Sequence, residues 1–328
     1  MANQHGATAH HAPAHRHPST HPPKRLRTHS RPSRRLDLLK RSGLFGQHTL
    51  GAVIERACTL DELRQAYQLV HDMYLEERYI HAHPSGMRIR IFEALPEMAT
   101  FMAFSEVEER TVGVLSVVAD SADLGLPADI VFRSELNRLR DVGAKVCEVT
   151  NQSVVEGFRK SAVPTELMRC VMAQVLLKKF DEVVALVSPN HAGMYRLLGF
   201  RQIGTVRSYS HTIHDPVVAM SMHVQQFYGP ALSADPADEF VRFFLVDFNP
   251  YLNKVRAWDQ EAKNWFHERH LLRHLFVLEE KLLQRCSPEE IVALRHRWGP
   301  ELVSEVLGRR RPRGYDTATI EQFMAEPH

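Results

Sequence analysis

Two β-rich runs, Thr100–Val107 and Thr111–Ala119, lie only three charged residues apart (Glu108-Glu109-Arg110), and that spacing limits the kind of sheet the chain can build. Runs this close pair antiparallel through a hairpin, because a parallel pair needs a crossover of a dozen or more residues. The sequence around them reads as strands and helices in succession. Val53–Ala57 is a short strand. Thr59-Leu60-Asp61-Glu62 is a capping box that opens a helix, with Leu63, Ala66, Tyr67, Val70, Met73 and Tyr74 at helical spacing. Lys145–Ser153 is another strand, and Thr165–Phe180 is an amphipathic helix with Pro164 near its first turn. Glu182–Val187 is an apolar strand and His191–Leu198 a short helix stopped by Gly199, with Phe200–Ser208 and Val217–Val224 as the closing strands. A hairpin inside such a succession argues against a plain doubly wound sheet and for a mixed α/β one.

After Tyr228 a polar break, Gly229–Asp238, opens onto helical sequence. Val255, Trp258, Ala262, Trp265, Arg269, Leu272, Phe276 and Leu283 follow one stripe, and Ser287-Pro288-Glu289-Glu290 starts a further helix that Gly299-Pro300 ends. Residues 1–41 hold nine Lys/Arg against Asp37 alone, a net +8; the remaining 32 basic and 38 acidic residues give −6. The total of +2 is therefore a cancellation between a basic arm and a mildly acidic body. The arm also carries seven of the twenty histidines and five of the eighteen prolines, and it has too little apolar side chain to offset its ordering entropy. Three parts are expected: a disordered His/Pro/Arg-rich arm (1–43), an α/β domain (44–228) and a helical C-terminal extension (229–328).

Several classes fall away. No apolar stretch approaches the ~20 residues of a membrane span. Ser33–Lys40 looks like the start of a twin-arginine export signal, but Glu55 and Arg56 interrupt any apolar region after it. Cys58, Cys147, Cys170 and Cys286 are far apart and form no CxxC, which suggests buried free thiols in a reducing compartment and a cytoplasmic protein.

The most informative stretch runs from Val187 through Ser188-Pro189-Asn190-His191 to Tyr195 and Leu198-Gly199-Phe200. It resembles the late motif of the GNAT superfamily of N-acyltransferases, roughly N…A…Y…LGF. Leu69–Tyr79 resembles the first-helix pattern of the long-chain N-acyl amino acid synthases, the FeeM-like branch related to acyl-homoserine-lactone synthases. It keeps Tyr74, Glu76, Glu77 and Tyr79, but Val70 stands where that pattern has Arg, and its Gly is absent. Glu148–Val154 fits the E-x-[ST]-x-x-x-V spacing of the branch's central strand, with Asn151 in place of the customary Arg. Gly204–Tyr209 and Asp215–Met220 look like its closing hairpin, so the resemblance spans about residues 53–224.

The resemblance implies a GNAT-like mixed, splayed central sheet flanked by helices. It also implies transfer of a medium or long fatty acyl group from a thioester to the amino group of an amino acid. Asn190 and His191 would then bind the pantetheine arm. Tyr195 would donate to the departing sulfur, whose thiol has a pKa near 8.5. Direct aminolysis also needs an acceptor for the ammonium proton, and Glu148 on the central strand is the candidate, the other reading being a structural acid in the core. Strand alternation puts Glu148, Thr150 and Gln152 on one face. Backbone amides at Asn151, Gln152 and Ser153 would meet the oxyanion where the superfamily strand bulges. Tyr74, Glu77 and Arg88 would face the acceptor, whose carboxylate Arg159, Arg88 or Arg90 could hold. Phe101, Met102, Phe104 and Leu115 could line an acyl slot, with core packing explaining them equally well.

Coenzyme-A-dependent members cradle a pyrophosphate on a glycine-rich loop. Here Glu156–Thr165 has one glycine and no G-x-G, so a single phosphate met by Arg159 or Lys160 fits better. The expected donor is the 4′-phosphopantetheine arm of an acyl carrier protein, with acyl-CoA second and no separate cofactor. Carrier proteins are acidic as a class, so the +8 arm would steer that partner; no specific nucleic acid is expected. Two alternatives compete. One is an acyl-homoserine-lactone-type autoinducer synthase, which a missing Trp and a missing E-x-D-x-x-D cluster disfavour. The other is a non-catalytic binding module on the same fold. His267, His270 and His274 fall on one helical face, but flanking arginines argue for an exposed basic face over a metal site.

Overall fold

In the computed structural model, residues 37–38, 41, 48–209, 216–225, 249–265, 268–308 and 312–325 are described. Three strands run antiparallel side by side: β1 (Ala52–Arg56), β2 (Met98–Ser105) and β3 (Arg110–Ala119). The hairpin between the last two forms at its charged turn, with Phe101 opposite Leu115. The sheet continues through β4 (Val146–Val154), β5 (Glu182–Val187), two-residue β6 (Arg201–Gln202) and β7 (Arg207–Ser208), and β8 (Pro216–His223). Its spatial order is β1-β2-β3-β4-β5-β8-β6, with β7 on β8. The parallel neighbours are β4 and β5, as a mixed sheet requires.

Two departures from regularity matter. The β4–β5 ladder ends at Val149 opposite Ala185, although β4 continues to Val154 and β5 to Val187, so the strands part in mid-sheet. On the other side of β4, Ser116 pairs with Thr150 and Val114 with Ser153. Two residues, Asn151 and Gln152, thus oppose the single Leu115, and Asn151 takes a left-handed φ of 58°. That is a β-bulge beside the splay.

The helices are α1 (Leu60–Glu76), α2 (Asp129–Asp141), α3 (Val163–Lys178) and α4 (Ala192–Leu197). The Thr59–Glu62 capping box of α1 forms in both directions. Helix α3 is buried nearly all round, between the sheet and α5 (Tyr251–Trp265), and Gly113 of β3 lets it approach, since a Cβ there would lie 2.9 Å from Val163.

The sequence reading needs three corrections. It has no helix at 129–141, because α2 has no side-chain cap, kinks at Phe132 and buries Asp129 and Glu135 on its inner face, which hides the apolar stripe. The single strand expected over Phe200–Ser208 is instead the two short bridges of β6 and β7. The long C-terminal stripe is broken: α5 is followed by α6 (Arg269–Leu272), a π-helical stretch Arg273–Glu279, α7 (Pro288–Trp298), α8 (Pro300–Leu307) and α9 (Thr317–Met324). Of the expected arm, only Asp37, Leu38 and Arg41 are described; they are helical, and the rest lies outside the described residues.

Two main cores result. One joins the sheet to α3 and α5, including Trp258 against Phe101. The other joins α1 and the segment Met87–Leu95 to the helices after residue 270. No helix among the described residues is long and apolar enough to cross a membrane. Cys147 and Cys170 are buried free thiols, whereas Cys58 and Cys286 are only half-buried.

Candidate active site

Where β4 and β5 part, a cavity of about 620 Å³ opens. Its floor is the bulged half of β4, from Glu148 to Val154. Helix α1 and the segment after it contribute Tyr74, Glu77, Arg88 and Arg90, and the loop into α4 contributes Asn190, His191 and Tyr195. Among the residues singled out by sequence, Gln152, Ser153 and Arg159 also line it. Lys160 does not; it is exposed outside the lining. Residues far apart in the chain thus converge where the sheet lacks hydrogen bonds.

Glu148 is 2% exposed, and its Oε2 accepts the backbone N–H of Ala128 at 2.7 Å, just ahead of α2. Burial pushes its carboxyl up to about 7, against the pull of that N–H and of the Arg90 and Arg88 charges. A carboxylate that takes up protons near neutrality suits a general base.

Arg88 and Arg90 stand side by side but are not equivalent. Arg90 donates to Glu93 at 2.6 Å; burial opposes its charge, yet Glu93 outweighs burial and the guanidinium is held firmly charged. Glu93 in turn is lowered, because Arg90 overcomes the cost of its own burial. Arg88 has no carboxylate partner among the described residues. It donates to the Asn151 side-chain oxygen at 2.8 Å and lies 4.7 Å over the Tyr74 ring. Burial, then the like charge of Arg90, lowers its pKa, so its cation is short of an anion.

Asn151, the residue in place of the customary arginine, faces this pair. Its side-chain N–H donates to Glu93 at 3.1 Å while its oxygen accepts from Arg88. Arg90 also comes within 3.5 Å of the Thr150 hydroxyl and 3.4 Å of Asn151, neighbours that a regular strand would point to opposite faces. The expected alternation of Glu148, Thr150 and Gln152 therefore ends at the bulge. Glu93 is the residue the sequence reading missed, and its signal was the i, i+3 spacing from Arg90.

Tyr195 is buried and donates its hydroxyl hydrogen to Gln152 Oε1 at 2.7 Å. Burial, then Tyr74, raises its pKa, which leaves it a hydrogen-bond donor and a weak acid. Val149, Gln152 and Tyr195 also form the wall of a second, apolar cavity of about 70 Å³ between the sheet and α3, with Leu115, Val175 and Met222 farther in. Of the expected acyl-slot residues only Leu115 reaches it. Phe101 belongs to the core under α5, and Met102 and Phe104 pack in the other core. The Ser153 hydroxyl, buried at the cavity, has no hydrogen-bond partner among the described residues.

The start of α3 offers little to a pyrophosphate. The Ser161 N–H bonds the Phe158 carbonyl (3.0 Å), Ala162 N–H the His48 carbonyl (2.9 Å) and Val163 N–H the Ser161 hydroxyl (3.1 Å); Pro164 has no N–H. Arg159 is half-exposed at the cavity mouth, 3.8 Å from Glu77. No group of three metal-ligating side chains exists among the described residues; His270 and His274 stack at 4.3 Å, and His267 lies outside them.

Residues 65–223 match the family model of the N-acyl amino acid synthase FeeM. Among solved structures, the chain is similar to FeeM, an N-acyl amino acid synthase from uncultured soil microbes, at 25% identity over 58% of this chain and 97% of that one, with a TM-score of 0.48. It is also similar to the CoA-dependent acyl-homoserine lactone synthase BjaI (19% identity, 53% of this chain, 85% of that one, TM-score 0.38). A third similar structure is the acyl-homoserine-lactone synthase LasI (13% identity, 53% and 89%, TM-score 0.41). A search of the curated proteins returned no match.

Proposed function

We propose that this acyltransferase, whose residues 65–223 carry the FeeM-type domain, moves a medium or long fatty acyl group from an acyl carrier protein thioester onto the amino group of an amino acid. The observation that carries this reading is the meeting of a charged cavity and an apolar one across Val149, Gln152 and Tyr195. A thioester lying at that junction has its chain on the apolar side and its carbonyl carbon beside Glu148 and Arg88.

Arg88 receives the acceptor's carboxylate, relieving an otherwise uncompensated guanidinium. Glu148 takes a proton from the ammonium, and the freed amine attacks the thioester carbon. The resulting oxyanion is stabilised by backbone amides at the bulge, with the Ser153 hydroxyl as a further donor. Collapse re-forms the carbonyl and breaks the C–S bond. Glu148 passes its first proton to water and accepts the second, released by the attacking nitrogen as the C–S bond breaks; Tyr195 hydrogen-bonds the departing thiolate, which leaves as the thiol with that second proton. The amide N–C bond has replaced the thioester C–S bond, so the step balances.

The engaged amides at the start of α3, with Arg159 as one cation at the mouth, support a carrier-borne single phosphate over free coenzyme A. The proposal is tested by mass spectrometry of lipid extracts after overexpression, and with purified acyl carrier protein and acyl-CoA side by side. New N-acyl amino acids that vanish in Glu148→Gln, formed faster from the carrier-borne acyl group, are expected. No new amphiphile with either donor sinks the reading.

A further inference from the structure

We propose that the second part of the C-terminal extension, described over residues 268–308 and 312–325, is a positioning device for Arg88 and Arg90, built against the back of the segment that carries them. The inference rests on the reading of Arg88 as the acceptor's carboxylate site. These helices lie beyond the 65–223 family match, and sequence alone assigns them no role.

Burial alternates along the segment. Met87, Ile89 and Ile91 are buried, whereas Arg88 and Arg90 between them line the cavity. The buried set packs in one cluster with Leu271, Leu275, Phe276, Leu283 and Trp298 of the extension. This backbone belongs to no strand, so its polar groups need partners from elsewhere. The Arg88 N–H goes to the Tyr67 carbonyl of α1 (3.1 Å) and the Arg90 N–H to the Glu93 carboxylate (2.7 Å), while the extension supplies donors to two carbonyls, one between the arginines and one after them. Arg285 donates to the Ile89 carbonyl at 3.1 Å, and the Trp298 indole N–H donates to the Ala94 carbonyl at 2.9 Å. Glu280, 2% exposed, accepts from Arg285 at 2.6 Å and from the Ser85 hydroxyl. Arg297 adds a bond to Glu97 at 2.9 Å.

The apolar cavity, by contrast, is lined by residues 115–222 and by none from the extension. The extension is therefore placed to act on the acceptor side of the reaction and not on the acyl side. Two guanidiniums that repel each other need a stiff mount if one is to stay unpaired in a cavity, and the packed underside provides it. Arg285 and Trp298 are positioning residues; neither lines the cavity.

The test uses the full chain with Arg285→Ala and the milder Trp298→Phe, which keeps the ring and removes one N–H. Amide hydrogen exchange over residues 86–92 should quicken in both, with β4 and β5 unchanged. The KM for the amino acid should rise about tenfold, while the KM for the acyl donor stays within twofold. In an Arg88→Ala background, Arg285→Ala should add nothing further to the acceptor KM; with Arg88 in place, Arg285→Lys, which can still pair with Glu280, should raise that KM less than Arg285→Ala does. Unchanged exchange over 86–92, parallel rises in both KM values, or full additivity with Arg88→Ala would overturn the proposal. A wild-type chain that acylates no amino acid would refute the functional reading instead, and the exchange experiment would still decide whether the extension holds the segment.

Discussion

Replacing Glu148 by Gln separates two consequences of burying a carboxylate. The side chain is 2% exposed and its pKa rises to about 7 from an ordinary 4.5, with burial the largest cause. Folding then favours the protonated form. This group's contribution to stability is fully present below pH 4.5 and is lost as pH climbs through 7. From those two values the stability lost relative to low pH is about 1 kcal/mol at pH 5, where only the unfolded carboxyl is ionised, and about 3 kcal/mol at pH 8. Gln keeps an oxygen for the Ala128 N–H and carries no charge. The variant should therefore gain on wild type by about 2 to 3 kcal/mol between pH 5 and pH 8, read as the difference in urea unfolding free energies. Over the same range wild-type kcat/KM should climb and level off above about pH 7, as a base that must be ionised requires. The variant should lose roughly 10²–10⁴ in rate. Equal stability differences at pH 5 and pH 8, or substantial activity in the variant, would refute the assignment of Glu148 as a buried, poised base.

Arg88→Ala should raise the acceptor KM about ten- to hundredfold with the donor KM unchanged, since a charge-assisted carboxylate contact is worth ~1.5–3 kcal/mol. Arg88→Lys should recover little of it, because a point charge does not reproduce the fork. Tyr195→Phe breaks the bond to Gln152 and should lower kcat roughly ten- to hundredfold in a single-turnover assay, while leaving acceptor affinity intact. Val175→Phe fills part of the apolar cavity behind Val149, and product analysis by mass spectrometry should show shorter acyl chains at unchanged amino acid selectivity.

The hairpin, the capped α1 and the buried strand β5 were legible because each rests on local chemistry: a charged turn, a capping box, a continuous apolar run. Helix α2 was not, because the residues it turns inward include Asp129 and Glu135, whose partners Arg140 and Arg207 lie 11 and 72 positions away. The site divides in the same way. Glu148, Tyr195 and Arg88 could be named from motif and residue type. Which of Arg88 and Arg90 lacks a carboxylate partner among the described residues could not, because Glu93 pairs with Arg90. Nor could the place of the apolar cavity, which the hairpin aromatics suggested and α3 instead provides.

The alternation Met87-Arg88-Ile89-Arg90-Ile91 also bears on which changes the chain can absorb. A substitution at any one position disturbs one side of the segment. One residue inserted within it shifts the parity of all that follows, turning a guanidinium into the apolar cluster beneath Trp298 and an isoleucine into the cavity. The length of this stretch is therefore under tighter constraint than its composition. Insertions are far better borne in the exposed turn at Glu106–Glu109 than here.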